Sequence, residues 1–224
     1  MTAVVAFDVN ETLLDLRALD PAFEQLLGSS ALRAQWFAQM LQLSFVGGLT
    51  GSYVDFSTAQ SAALKMVAER IGRPVSDAEV DEMVLRMNSL PAHPEVPEAL
   101  QRLRETPLKV VALVNSLPAV GEAQLTNSGI RDSFDDVISA DTVRHLKPAP
   151  EPYRAVAAQF GVAISKVRLV AAHSWDISGA LAAGCRAAFV ARPGMVLSPL
   201  GPQPDIVQTN IAGVVDRILE TDLS

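Results

Sequence analysis

Ala3-Val4-Val5-Ala6-Phe7-Asp8-Val9-Asn10-Glu11-Thr12-Leu13-Leu14 is the stretch around which the rest of the chain is organised. Ala3 to Phe7 form an unbroken apolar run, β-branched in its middle and short enough for one strand buried on both faces. The run stops at a carboxylate, Asp8. Four residues on, Thr12 carries a hydroxyl that can return towards it. In a parallel α/β sheet, reactive groups gather at the carboxyl ends of strands, so an acid placed there is a candidate nucleophile or general base. The same spacing also fits an acid that only caps the following segment.

The chain has 224 residues, of which 49% are hydrophobic, enough for one α/β domain with a smaller insert. A net charge of −7 argues against nucleic acid or an anionic membrane surface as the main partner. Cys185 is the single cysteine, so no internal disulfide can form, and its setting between Gly184 and Arg186 suits packing. The apolar start lacks a basic n-region and no apolar run is long enough to cross a bilayer. A soluble, cytoplasmic protein is the expectation.

Beyond Leu14 the pattern changes. Segments near Pro21–Leu27, Ala31–Phe45, Ser57–Ile71 and Asp77–Met87 carry apolar residues at helical spacing, punctuated by Gly47-Gly48, Gly51-Ser52 and Gly72-Arg73-Pro74. Ser76 with Glu79 predicts a capping box at the start of the last of these. The run Pro91 to Pro97 reads as a linker. After it, strands at Lys109–Val114, Val137–Ile138, Val167–Val170, Ala187–Val190 and Asp205–Val207 alternate with helices at Glu98–Glu105, Ala119–Ser128, Glu151–Phe160, Ile177–Ala183 and Ile211–Leu219. Such alternation predicts a doubly wound parallel sheet of Rossmann-like type. The expected domains are an α/β core, residues 1–14 and 94–224, and an inserted helical cap, 15–93, lying over Asp8.

Three further strand ends carry candidate groups. Lys109–Val114 runs into Asn115 and Ser116, side chains able to donate hydrogen bonds to an anion, though such residues also open turns. Pro148 and Pro150 hold the backbone extended and so fix where Lys147 points; a lysine in a cleft can keep an aspartate ionised. Val167–Val170 leads to His173, Ser174, Trp175 and Asp176 at a helix start, where an acid is also an ordinary dipole partner. Asp8, Asn115, Lys147 and Asp176 thus converge on one edge of one sheet.

The pattern Phe7-Asp8-x-x-x-Thr12-Leu13-x-Asp15 resembles the first motif of the haloacid dehalogenase superfamily, and order and spacing are similar over nearly the whole chain. Within it, Tyr53-Val54-Asp55-Phe56, Lys147-Pro148 with Tyr153 six residues later, and Trp175-Asp176 resemble type II (S)-2-haloacid dehalogenases. The resemblance implies Asp8 as covalent nucleophile, Thr12 as its orienter, Lys147 as the charge holding it ionised, and Asp176 positioning water or Lys147. It places Val9, Asn10, Phe56, Asn115, Ser116, Tyr153, His173 and Trp175 around the substrate. It implies a small 2-haloacid substrate, no metal and no other cofactor, and leaves a homodimer open.

The departures are specific. The superfamily's phosphatases carry acids at the positions of Asn10 and Ala172, and losing them weakens both a Mg²⁺ site and acid catalysis. The dehalogenase cap arginine is expected to align with Gly47, its second-motif serine with Val114, and its serine pair and asparagine with Ala171, Ala172 and His173. His173 is expected to stand in for the missing cation. The alternatives are a phosphatase with a degraded metal site and a non-catalytic binding protein on the same scaffold.

Overall fold

The computed structural model describes residues 1–223. Six strands form one sheet: β1 (Val4–Phe7), β2 (Lys109–Val114), β3 (Asp136–Ser139), β4 (Val167–Ala171), β5 (Arg186–Val190) and β6 (Ile206–Gln208). Every neighbouring pair is parallel and the order is β3-β2-β1-β4-β5-β6. The sheet is the predicted doubly wound type. Its order reverses between β1 and β4, the place where such sheets open a crevice at their carboxyl ends.

Alternation along the strands divides the core. Val5, Phe7, Val110, Ala112 and Val170 face one layer, packed by α5 (Val96–Arg104) and α9 (Ile211–Asp222). Val4, Ala6, Val111, Leu113 and Leu169 face the other, packed by α7 (Pro150–Gln159) and α8 (Ser174–Ala183). All four residues of β1 are buried, so a polar residue inside that strand would lose a packing contribution of about 2 kcal/mol per side chain. The remaining helix of the sheet layer, α6 (Pro118–Asn127), follows β2.

Between β1 and β2 stand α1 (Asp20–Leu27), α2 (Leu32–Thr50), α3 (Phe56–Arg70) and α4 (Asp77–Arg86). α2 and α3 pack as an antiparallel pair, tied by Trp36 Nε1 donating to the Gln60 carbonyl at 2.9 Å. The Ser76–Glu79 capping box opens α4 as expected. Two readings change. Gly47 and Gly48 do not end α2, which continues to Thr50 and stops on Gly51 at φ +71°. Gly47 is needed for close approach instead: a Cβ there would lie 2.8 Å from the Ser52 carbonyl oxygen. Helix α8 begins at Ser174 rather than Ile177, so Trp175 and Asp176 both occupy its first turn.

The chain leaves the sheet and returns to it side by side. Asp15 N donates to the Pro91 carbonyl at 2.8 Å, and His93 N to the Leu13 carbonyl at 2.9 Å, around an antiparallel bridge of Leu14 with Ala92. The Arg192 guanidinium then grips the Thr12 carbonyl through Nε (3.1 Å) and Nη2 (2.8 Å), and Glu95 through Nη1 at 2.7 Å. Residues 91–95, read as a simple linker, are therefore half of a paired crossing.

At the opposite edge of the sheet Arg168, fully buried, donates to Asp222 and Asp205, and Arg186 joins both acids. This closed ionic cluster ties β4 and β5 to the end of α9.

Candidate active site

Asp8 leaves β1 into the crevice with both carboxylate oxygens held. Lys147 Nζ donates to Oδ1 at 2.9 Å; Thr12 Oγ1 donates to Oδ2 at 2.6 Å, and His173 Nδ1 to the same oxygen at 3.1 Å. Thr12 itself accepts from the Ala172 amide at 2.9 Å, which locks the first strand end to the fourth. Burial alone would raise the Asp8 pKa. The Lys147 charge, the His173 bond and charge, and the Thr12 bond outweigh it and hold the acid well below the usual carboxylate range. Asp8 is a buried anion across the physiological pH range.

Lys147, 1% exposed, lies between two carboxylates, donating to Asp176 Oδ2 at 2.7 Å as well as to Asp8. Burial pushes its pKa down, but Asp176 and Asp8 together raise it above the ordinary lysine value. Asp176 is fully buried, and Tyr153 Oη donates to its second oxygen at 2.5 Å. Burial and the nearby Asp8 charge raise the Asp176 pKa against the pull of Lys147. The Asn115 side chain clamps the Lys147 backbone, its Oδ1 accepting from N at 2.8 Å and its Nδ2 donating to O at 3.2 Å. One amide hydrogen of Asn115 remains for the cavity.

The cavity over Asp8 has a free volume of about 10 Å³, roughly one water. Its apolar walls are Phe37, Phe56, Val114 and Trp175; its polar edge is Asp8, Asn10, Asn115 and His173, with Val9 at the turn. The structure thus brings Val9, Asn10, Phe56, Asn115, His173 and Trp175 to Asp8, with Thr12 and Lys147 bonded to it. Asp176 and Tyr153 stand behind Lys147. Ser116 does not reach the cavity; its carbonyl accepts from Ser139 and its buried hydroxyl has no partner. The indole N–H of Trp175 is also buried without a partner.

Gly47 lies elsewhere. It lines a separate, largely apolar cavity of about 570 Å³ with Phe45, Tyr53, Leu146 and Pro148. The side chain that α2 sends to Asp8 is Phe37, so an arginine at position 47 would not face the nucleophile. Gly47→Arg is expected to destabilise the protein by about 1–3 kcal/mol, read from its denaturant midpoint, because the Cβ meets backbone that cannot swing aside. It is not expected to raise activity.

Two groups went unread in the sequence. Glu11, at φ +61°, turns its carboxylate onto His173 Nε2 at 2.9 Å, and Arg33 of α2 pairs with Glu11 at 3.4 Å and with Asp20 at 2.6 Å. Phe37 stacks on His173, ring centroids 5.6 Å apart, and Trp175 also stacks on it at 5.2 Å. Burial lowers the His173 pKa, but the Asp8 and Glu11 bonds and charges raise it to about 9. That favours the protonated ring at neutral pH, yet both its nitrogens are committed to carboxylates, so it offers no free N–H to a substrate anion in place of the missing arginine. Asn10 Oδ1 accepts from Gln124 at 2.9 Å, which fixes the amide where a second acid would stand in a phosphatase-like site.

Residues 2–184 match the family model of haloacid dehalogenase-like hydrolases. The chain belongs to that family. It is 28% identical over 216 residues to the (S)-2-haloacid dehalogenase of Pseudomonas sp. (strain YL), covering 95% of this chain and 92% of that protein. It is 31% identical over 194 residues to the (S)-2-haloacid dehalogenase of Xanthobacter autotrophicus, covering 86% and 76%. Among solved structures, the L-2-haloacid dehalogenase of Xanthobacter autotrophicus with chloropropionic acid covalently bound superposes with a TM-score of 0.92 at 27% identity, covering 99% of both chains. This member of the haloacid dehalogenase-like family therefore has relatives of the dehalogenase branch along almost its whole length. Among the described residues no helix is long and apolar enough to cross a membrane.

Proposed function

We propose that the protein hydrolyses short (S)-2-haloalkanoic acids to (R)-2-hydroxy acids and halide through an ester on Asp8, with the helical segment 15–93 acting as a cap over the core formed by 1–14 and 94–224. The observation that carries this reading is the buried, ionised Asp8 held at the switch point by Lys147, Thr12 and His173 under apolar walls. An anion stripped of water and aimed by three donors is a strong nucleophile towards carbon. One Asp8 oxygen attacks C2 in line as the carbon–halogen bond breaks, inverting that centre. Water then attacks the ester at Asp8 Cγ and frees the alcohol without touching C2.

Each remaining group has a task. Lys147 keeps Asp8 charged; Asp176 and Tyr153 hold Lys147 in place; Asn115 fixes the Lys147 backbone. Phe37, Phe56 and Trp175 exclude water, and the substrate must displace these walls to enter a space of about 10 Å³. A halide leaves from carbon without a proton, so the amide of Asn10 is no obstacle to it, whereas an alkoxide leaving phosphorus would lack its acid.

The test is halide release from (S)-2-chloropropionate, with (R)-lactate as product. Asn10 and Ala172 stand where an acid would be needed, and the Lys147 ammonium occupies the space between Asp8 and Asp176. Release is therefore expected to persist in EDTA. Activity lost to EDTA and restored by Mg²⁺ would favour phosphoryl transfer instead.

A further inference from the structure

Among the described residues that line the Asp8 cavity, Asp8 and His173 alone titrate. Lys147 and Asp176 are paired behind Asp8, and both oxygens of Asp176 are taken, by Lys147 and Tyr153. The His173 ring is stacked by Phe37 and Trp175 and anchored at Nε2 by Glu11, leaving Nδ1 3.1 Å from Asp8 Oδ2. A base beside the nucleophile, oriented by an acid on its far nitrogen, is the geometry of a hydrolytic triad.

We propose that His173 is the general base that hydrolyses the Asp8 ester, with Glu11 as the residue that orients it. The inference rests on the aspartyl-ester reading above. In the resting enzyme both ring nitrogens donate to carboxylates and His173 is an imidazolium. When Asp8 forms its bond to C2, the carbon–halogen pair leaves with halide and Asp8 becomes a neutral ester. His173 thereby loses the anion that held its Nδ1 proton. The groups still facing it are Glu11 on one side, the Lys147 ammonium across Asp8, and the uncharged rings of Phe37 and Trp175. Its pKa falls from the resting value of about 9. Nδ1 gives up its proton to water in the cavity over Asp8 while Nε2–H stays on Glu11, which also lines an open cleft of about 240 Å³ with Arg33 and Arg192.

Neutral Nδ1 then takes a proton from water while the water oxygen adds to Cγ. Collapse breaks the bond between Cγ and the ester oxygen, and the departing alkoxide takes that proton from Nδ1. Asp8 is left as a carboxylic acid and passes its proton to His173, restoring the imidazolium–carboxylate pair. One hydrogen ion, lost in the first half, balances the halide. One residue thus holds Asp8 ionised for displacement and becomes a base only after displacement has occurred.

The test mixes enzyme with (S)-2-chloropropionate and follows halide and protein mass together. His173→Asn retains a hydrogen-bonding amide but cannot take up a proton. It is expected to release one halide per site and stall with the adduct on Asp8, hydrolysis being slowed by about 10²- to 10⁴-fold. Steady turnover by His173→Asn without adduct overturns the inference. If that variant gives no halide burst, Glu11→Gln decides. In wild type, single-turnover ester hydrolysis should rise with pH as His173 deprotonates, and Glu11→Gln should move that rise to lower pH; an unmoved profile overturns the inference. No halide from wild type at all refutes the dehalogenase reading itself.

Discussion

Asp8→Asn is expected to lower halide release from (S)-2-chloropropionate by about 10⁴-fold or more while leaving the fold intact. An amide of the same shape keeps the Thr12 bond and the packing at the end of β1 but has no charge with which to displace halide. Lys147 retains Asp176 as its counter-ion, so the thermal midpoint should move by only a few degrees. The covalent step is tested separately by one wild-type turnover in heavy-oxygen water. Label is expected in Asp8 rather than in the first hydroxy acid released, because water attacks Cγ. Label found directly in the product would refute the ester.

Lys147→Met should cost both activity and stability. It leaves Asp8 and Asp176 buried with no ammonium between them, and an unpaired buried charge costs about 3–5 kcal/mol. In wild type, the depressed pKa of Asp8 contributes stability that is present above the unfolded value of 3.8 and lost as pH falls through the folded one. In the variant the sign reverses. Asp8 keeps Thr12 and His173, but Asp176 is left with Tyr153 and no cation, which raises its pKa further, so the deficit is fullest at neutral pH and shrinks on acidification as Asp176 takes up a proton. Urea midpoints of the two proteins at pH 7 and pH 5 measure this. An equal deficit at both values would show that Lys147 acts through packing alone.

The sheet was legible because β1 and the apolar part of β2 are short runs that each stop at a polar group, and β4 repeats the apolar pattern around Arg168; buried parallel strands require such runs. Asp8, Thr12 and Lys147 were legible because strand ends and flanking prolines constrain where a side chain can point. Gly47 misled as a helix end. A glycine signals freedom in the sequence, whereas here it is a lack of space against Ser52 that demands it. Phe37 was hidden because an aromatic on a helix face reads as core, and only the packing of α2 decides that it reaches Asp8. Glu11 was hidden because its direction depends on a positive φ, which a glutamate does not advertise. The carboxylate on the far nitrogen of His173 was therefore invisible although His173 and Asp8 were in view.

The paired crossing at Leu14 and Ala92 has a kinetic consequence. A body hung on two independent tethers can tilt, twist and slide, and must search all of these before it seats. Two tethers stitched to each other by hydrogen bonds at 2.8 and 2.9 Å behave as one ribbon, which bends easily across its flat face and resists shear. If residues 15–93 move as the cap proposed above, this ribbon would leave them close to a single degree of freedom. Arg192 pins the core side of that ribbon at Thr12, so a movement of the proposed cap would bend the ribbon without disturbing the hydroxyl that holds the nucleophile. Closure of such a cap would lose little orientational entropy. The binding energy of even a three-carbon acid can go into displacing Phe37, Phe56 and Trp175 and re-forming a water-poor site around the reacting carbon.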